Sequence, residues 1–147
     1  MVVLAQRILV VEDNASLRSL FVDVISAVHN LLADGAGSIT EAEALLSSPN
    51  AHYDAVLLDL GLPDGDGREF CLKLRRDGLR IPIIMLTGVA GSLDRIEGLD
   101  GGASDYLIKP VRISDLLVRL EAQLTAFNHA AGATLPVVSM CGDDVRP

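Results

Sequence analysis

Three carboxylates, one hydroxyl and one ammonium occupy corresponding places along this chain. Glu12 and Asp13 follow the apolar run Ile8 to Val11, Asp59 follows Ala55 to Leu58, Thr87 follows Ile81 to Leu86, and Lys109 follows Tyr106 to Ile108. If each run is a strand of one sheet, the five side chains meet at one edge. Acids held close raise one another's pKa unless a cation neutralises them. Donors that are all oxygen, with a neighbouring phosphate to complete the shell, suit Mg²⁺ rather than zinc or copper. A lone acid after a strand is more often a turn or cap residue than a ligand. Agreement at four strand ends reverses that balance.

Other motifs carry less. Asp64-Gly65-Asp66-Gly67 suggests a calcium loop, but an EF-hand aligned on Gly67 needs an acid at 62 and a Glu at 73, where Leu62 and Lys73 stand. Gly35-Ala36-Gly37 begins like a dinucleotide fingerprint and lacks its third glycine. His29, His52 and His129 are scattered, without nucleophile or metal spacing, and read as surface or loop residues.

The elements that must position the strand-end residues can be read from periodicity. Runs apolar on both faces suit parallel strands covered by helices on each side. Between them the pattern turns helical: Leu17, Leu20, Phe21, Val24, Ile25 and Val28 form one stripe. Ser38 followed by Glu41 reads as a capping box for a second helix to about Ser47. Phe70, Leu72 and Leu74 mark a third helix ending near Gly78, Ser92 caps a fourth over Leu93 to Asp100, and Ser114 caps a fifth to about Phe127. A second strand is placed near Asn30 to Asp34. The sum is an α/β chain with a five-stranded parallel, doubly wound sheet, whose ligands bind beyond the carboxyl ends of its strands.

With these pieces in order, Gln6 to Leu124 resembles the response-regulator receiver family of two-component signalling, a (βα)5 flavodoxin-like fold. The resemblance rests on Ile8-Leu9-Val10-Val11-Glu12-Asp13-Asn14, on Leu57-Leu58-Asp59-Leu60-Gly61-Leu62-Pro63-Asp64-Gly65-Asp66-Gly67, on Met85-Leu86-Thr87-Gly88, and on Gly102-Ala103-Ser104-Asp105-Tyr106-Leu107-Ile108-Lys109-Pro110. It implies a phosphorylation switch rather than an enzyme with turnover. A sensor histidine kinase or phosphotransfer protein would present a phosphohistidine, and the domain itself would catalyse transfer to Asp59 and the later loss of the phosphoryl group. Asp13, Asp59, the Gly61 carbonyl and, through water, Glu12 would hold Mg²⁺. Lys109 and the Thr87 hydroxyl would contact the phosphoryl group, and Tyr106 would swing inward with Thr87. The Lys109-Pro110 bond is expected to be cis. Gly61 and Val89, which flank the acceptor and cannot orient a water, imply a slow loss of phosphate.

The resemblance extends to the winged-helix branch of the family. It implies a symmetric dimer on phosphorylation through the fourth helix, fifth strand and fifth helix, in which Arg95 would face Asp115 and Asp105 would face Arg119 across the two-fold axis. The rival is a Mg²⁺-dependent phosphate-ester hydrolase built on Asp59. Its usual second acid, two residues after the nucleophile, is replaced by Gly61.

Composition sets the remaining bounds. A net charge of -8, pI near 4.7 and only five aromatic residues argue against direct binding of nucleic acid. No apolar run approaches the ~20 residues of a membrane span, and Met1 to Ala5 lacks the layout of a secretion signal. Cys71 and Cys141 form no C-x-x-C pair, consistent with thiols in a reducing cytoplasm. We divide the chain into a receiver domain, 1–127, and a tail or truncated linker, 128–147. The output is then either transcription regulation or that of a stand-alone shuttle.

Overall fold

The computed structural model describes residues 5–50, 52–88 and 102–131, with side chains as far as 128. The strands β1 (Gln6–Val11), β2 (Leu31–Ala36), β3 (Ala55–Asp59), β4 (Ile83–Thr87) and β5 (Asp105–Ile108) form one parallel sheet in the order β2-β1-β3-β4-β5. This is the flavodoxin-like order, in which the chain reverses direction of winding beside β1. The described helices are α1 (Ala15–Ser26), α2 (Ile39–Ser47), α3 (Gly67–Arg76) and α4 (Ile113–Ala131).

Successive strand residues point to opposite faces, so each central strand feeds two cores. Ile8 and Val10 pack with Phe21 and Ile25 of α1 and with Leu116, Leu120 and Leu124 of α4. Leu9 and Val11 pack with Ala42 of α2 and with Phe70, Cys71 and Leu74 of α3. Ile8 to Val11, Ala55 to Leu58 and Ile83 to Leu86 are all fully buried, which explains why these runs carry no polar residue.

Several boundaries differ from expectation for local reasons. β2 runs over Leu31–Ala36 instead of Asn30–Asp34, because Asn30 adopts a left-handed conformation at φ 68° and turns the chain before the strand begins. β4 begins at Ile83 rather than Ile81, since Pro82 has no N–H and enters the ladder only through its carbonyl, which accepts from Val56 N at 2.9 Å. α4 starts at Ile113, so Ser114 lies inside its first turn, and the helix passes Phe127 to reach Ala131. Gly61–Leu62 and Gly65–Asp66 pair as a short antiparallel ribbon. The expected fourth helix with Ser92 and Arg95, Val89, Cys141 and the rest of the tail lie outside the described residues.

Candidate functional site

The ends of β1, β3, β4 and β5 converge as the sheet requires. Beyond β1, Glu12 N–H donates to Ala36 O at 2.9 Å, and the Glu12 side chain is buried while Asp13 is exposed. Asn14 then caps α1, its Oδ1 accepting from Leu17 N at 2.9 Å, and its own N–H donates to Glu12 Oε2 at 3.1 Å. Asp59, the last residue of β3, is buried. The chain leaves it through Leu60 N to Leu86 O, 3.1 Å, and Gly67 N to Leu60 O, 3.0 Å. A Cβ at Gly67 would collide with the Asp59 carbonyl oxygen, so only glycine allows α3 to begin directly beneath Asp59. Thr87 ends β4, buried, and its carbonyl accepts from Lys109 N at 2.7 Å. The Lys109-Pro110 peptide is cis.

This backbone frame brings Glu12, Asp13 and Asp59 together, with one carboxylate oxygen from each all within 4.8 Å of one another. Lys109 Nζ stands 2.8 Å from Glu12 Oε1 and 3.2 Å from Asp59 Oδ1. Burial pushes the Glu12 carboxyl up and the Asp59 charge adds to this, while the Lys109 ammonium and the Asn14 N–H work against it. Burial opposes the Lys109 charge, but the bond to Glu12 and the charges of Asp59 and Glu12 outweigh it and hold its pKa above the usual value. Three carboxylates against one ammonium leave a deficit of positive charge. The donors are all oxygen and Asp13 opens to solvent, so the cluster suits a hard divalent cation.

The other expected residues are more dispersed. Gly61 is exposed on the short ribbon, and a Cβ there would meet nothing within 4 Å. Tyr106 is half-buried and packs against the core under α2 and α3. Arg119 Nη1 donates to Asp105 Oδ1 and Oδ2, at 2.9 and 3.0 Å, within one chain. Asp115 is exposed in the first turn of α4. His29 and His52 are exposed and away from the cluster.

Sequence reading missed Arg18, Asp64 and Arg75, whose partners are mainly backbone atoms and leave no pattern of paired charges. Asp64 accepts from Ile39 N at 2.9 Å and from Thr40 N and Oγ1 at 3.0 and 2.7 Å, tying the loop after Asp59 to the start of α2. The Ile39 N–H, followed by the Thr40 hydroxyl and N–H, holds the Asp64 carboxyl below its ordinary pKa. Arg75 donates to the carbonyls of Gly102, Leu79 and Ile81 at 2.8, 2.9 and 2.7 Å, joining α3 to the approaches of β4 and β5.

A flavodoxin-like sheet with acids, a hydroxyl and a lysine at these strand ends defines the receiver class of signalling domain. The response regulator receiver domain family matches residues 8–121, and the chain belongs to this family. It is 40% identical over 119 residues to the transcriptional regulatory protein TcrA of Mycobacterium tuberculosis, covering 79% of this chain and 45% of that protein. It is 40% identical over 136 residues to the transcriptional regulatory protein PhoP of Escherichia coli K12, covering 91% and 57%. The chain thus spans about half the length of the curated relatives it matches. The non-phosphorylated HemR receiver domain from Leptospira biflexa superposes with a TM-score of 0.71 at 34% identity, over 82% of this chain and 94% of that one. A CheY-like receiver domain protein from Methanospirillum hungatei gives 0.77 at 26% identity, over 86% and 98%.

The chain is therefore a phosphoacceptor domain of two-component signalling, a switch rather than an enzyme of the hydrolase kind. Receiver domains take their phosphoryl group from histidine kinases. Among the described residues, no helix is long and apolar enough to cross a membrane.

Proposed function

We propose that Asp59 is the phosphoacceptor, and that Asp13, Asp59, the Gly61 carbonyl and, through water, Glu12 hold the Mg²⁺ that the reaction needs. The observation that carries this reading is the position of Asp59. It is a buried strand-end carboxylate that shares a 4.8 Å cluster with two other acids and lies 3.2 Å from Lys109.

An Asp59 oxygen attacks the phosphorus of a phosphohistidine on a sensor kinase or phosphotransfer protein. The new P–O bond forms as the P–N bond breaks, and the imidazole nitrogen leaves with the electron pair and takes up a proton. Bound Mg²⁺ supplies positive charge against the phosphoryl oxygens. Lys109 shifts from Glu12 and Asp59 to one phosphoryl oxygen, which suits a lysine as a movable point charge. The Thr87 hydroxyl donates to another. Drawing Thr87 toward the phosphate makes room for Tyr106 to turn inward, a two-position switch of the surface formed by β5, α4 and the segment before β5. The loss of the phosphoryl group by attack of water is also catalysed by the domain itself.

The domain acts in the cytoplasm, where such kinases present their phosphohistidine. Its relatives' names favour control of transcription as the output, through a part not contained in this chain. On phosphorylation two copies pair through the segment between β4 and β5 that carries Arg95, through β5 and through α4, with Asp105 to face Arg119 and Arg95 to face Asp115.

Intact-mass measurement after treatment with acetyl phosphate and Mg²⁺ tests the core of this reading. The mass should rise by one phosphoryl group, and Asp59→Asn should remove the rise. Labelling of Asp59→Asn at the wild-type rate would overturn the assignment. Steady turnover of small phosphate esters would favour a hydrolase instead.

A further inference from the structure

All four polar atoms of Glu12 are held. Its N–H donates to Ala36 O at 2.9 Å, its carbonyl accepts from Arg18 Nη1 at 2.8 Å, Oε1 accepts from Lys109 and Oε2 from Asn14 N. The carbonyl is the informative one. It belongs to the peptide plane whose other end is Asp13 N, so fixing it fixes the direction in which Asp13 leaves β1.

Arg18 reaches that carbonyl from the second turn of α1 by crossing the end of β2, through a space left by two glycines. A Cβ at Gly35 would lie 3.0 Å from both Cγ and Cδ of Arg18, and one at Gly37 would lie 2.8 Å from its Nη1. Neither glycine has a positive φ, so backbone conformation does not call for glycine at either place. What they provide is room. The two glycines flank Ala36, whose own carbonyl holds Glu12 N. The Gly35-Ala36-Gly37 motif, which failed as a dinucleotide fingerprint, thus has a different use.

We propose that Arg18 is a positioning residue for the metal-binding acids, and that Gly35 and Gly37 form the slot that lets it lock the Glu12-Asp13 peptide. This rests on the reading of Glu12, Asp13 and Asp59 as the Mg²⁺ site. Groups that orient metal ligands typically contribute about 10- to 100-fold in affinity. A contact made to the backbone of a ligand rather than to its carboxylate belongs at the lower end.

Gly37→Ala is the selective probe. Its Cβ meets the flexible tip of Arg18, while the next atom of another residue, Glu41 Oε1, stands at an ordinary 3.5 Å. The guanidinium must move, and the fold need not. Calorimetric titration of the full chain with MgCl₂ should show binding weakened about tenfold in both Arg18→Met and Gly37→Ala. The double variant should bind no more weakly than Arg18→Met, because the added Cβ then has nothing to displace. Melting in EDTA reports the fold separately, and if Arg18→Met does not fold, Gly37→Ala alone decides. Wild-type affinity in Gly37→Ala, or additive losses in the double variant, would overturn the proposal. A wild-type chain that binds no Mg²⁺ would overturn the metal-site reading itself, and this proposal with it.

Discussion

Lys109 bridges two buried acids at the ends of different strands, 2.8 Å from Glu12 just after β1 and 3.2 Å from Asp59 at the end of β3. Glu12 has almost no exposure, whereas Lys109 keeps 24% of its side chain accessible. Removing the ammonium leaves an uncompensated pair of buried carboxylates, and breaking a fully buried pair costs about 3–5 kcal/mol. With a partly exposed lysine, Lys109→Gln should destabilise the metal-free chain by about 2–4 kcal/mol. Adding Glu12→Gln should recover part of that loss, and urea unfolding in EDTA of the two single variants and the double variant measures the coupling.

Gly61, two residues after the proposed acceptor Asp59, offers a second test, because a Cβ there would meet nothing within 4 Å. Neither proton transfer nor water positioning is available from a glycine. Gly61→Asn should leave the fold intact and shorten the phosphoryl lifetime about 3- to 10-fold, well below the 10²–10⁴ of a full general base. Decay of the phosphorylated mass over time gives the lifetime, and an unchanged or longer one would contradict the role assigned to this position.

The strand-end residues were legible because the central strands are covered on both faces. Their sequences are unbroken apolar runs that stop where the chemistry begins, as Val11 stops before Glu12 and Leu58 before Asp59. β2 was only partly legible. It is an edge strand whose Leu32 is 45% exposed and whose Asp34 and Gly35 tolerate solvent, so neither alternation nor a continuous apolar run marks it. The Gly61–Leu62 ribbon is two residues per strand, too short for any period to register. Ser38 was recognised as a cap, and its Oγ does accept from Glu41 N at 3.1 Å. The reciprocal bond from Glu41 goes to Gly37 N rather than to Ser38 N. Arg18 escaped because its partner is a carbonyl and its room comes from residues on another element.

The Asp105–Arg119 pair bears on assembly. It closes within one chain between partly exposed groups, and such a pair contributes only ~0 to 1 kcal/mol. Exchanging it for the same pair between two copies gains nothing by itself, so affinity must come from apolar surface such as Ile108 on β5, 40% exposed. We expect a weak dimer. Sedimentation of the beryllofluoride-treated chain should show mass rising with concentration, and Arg119→Asp should abolish the rise. A strictly monomeric activated form at high concentration would reject this surface.

Tyr53 gives a pH signature remote from the acidic cluster. Its hydroxyl donates to Asp34 Oδ2 at 2.7 Å, and burial, then that bond and the Asp34 charge, push its pKa up from 10.0 to about 12. The folded state therefore favours the neutral phenol. Its contribution is fully present below the unfolded value near 10 and is lost as pH rises through about 12. The stability difference between wild type and Tyr53→Phe should shrink across that interval, measured by denaturant unfolding at matched pH. A constant difference would show that folding does not raise the Tyr53 pKa.

The start of α2 has its free amides taken by side chains, with Ser38 on Glu41 N, Glu41 on Gly37 N, and Asp64 on Ile39 and Thr40 N. The last of these belongs to the loop that follows Asp59. Ile39 and Thr40 can surrender their protons to solvent only when that loop lifts away or the helix frays. Their deuterium uptake is consequently a clock for the loop after Asp59, readable at two named backbone positions without a fluorophore in a chain that has no tryptophan.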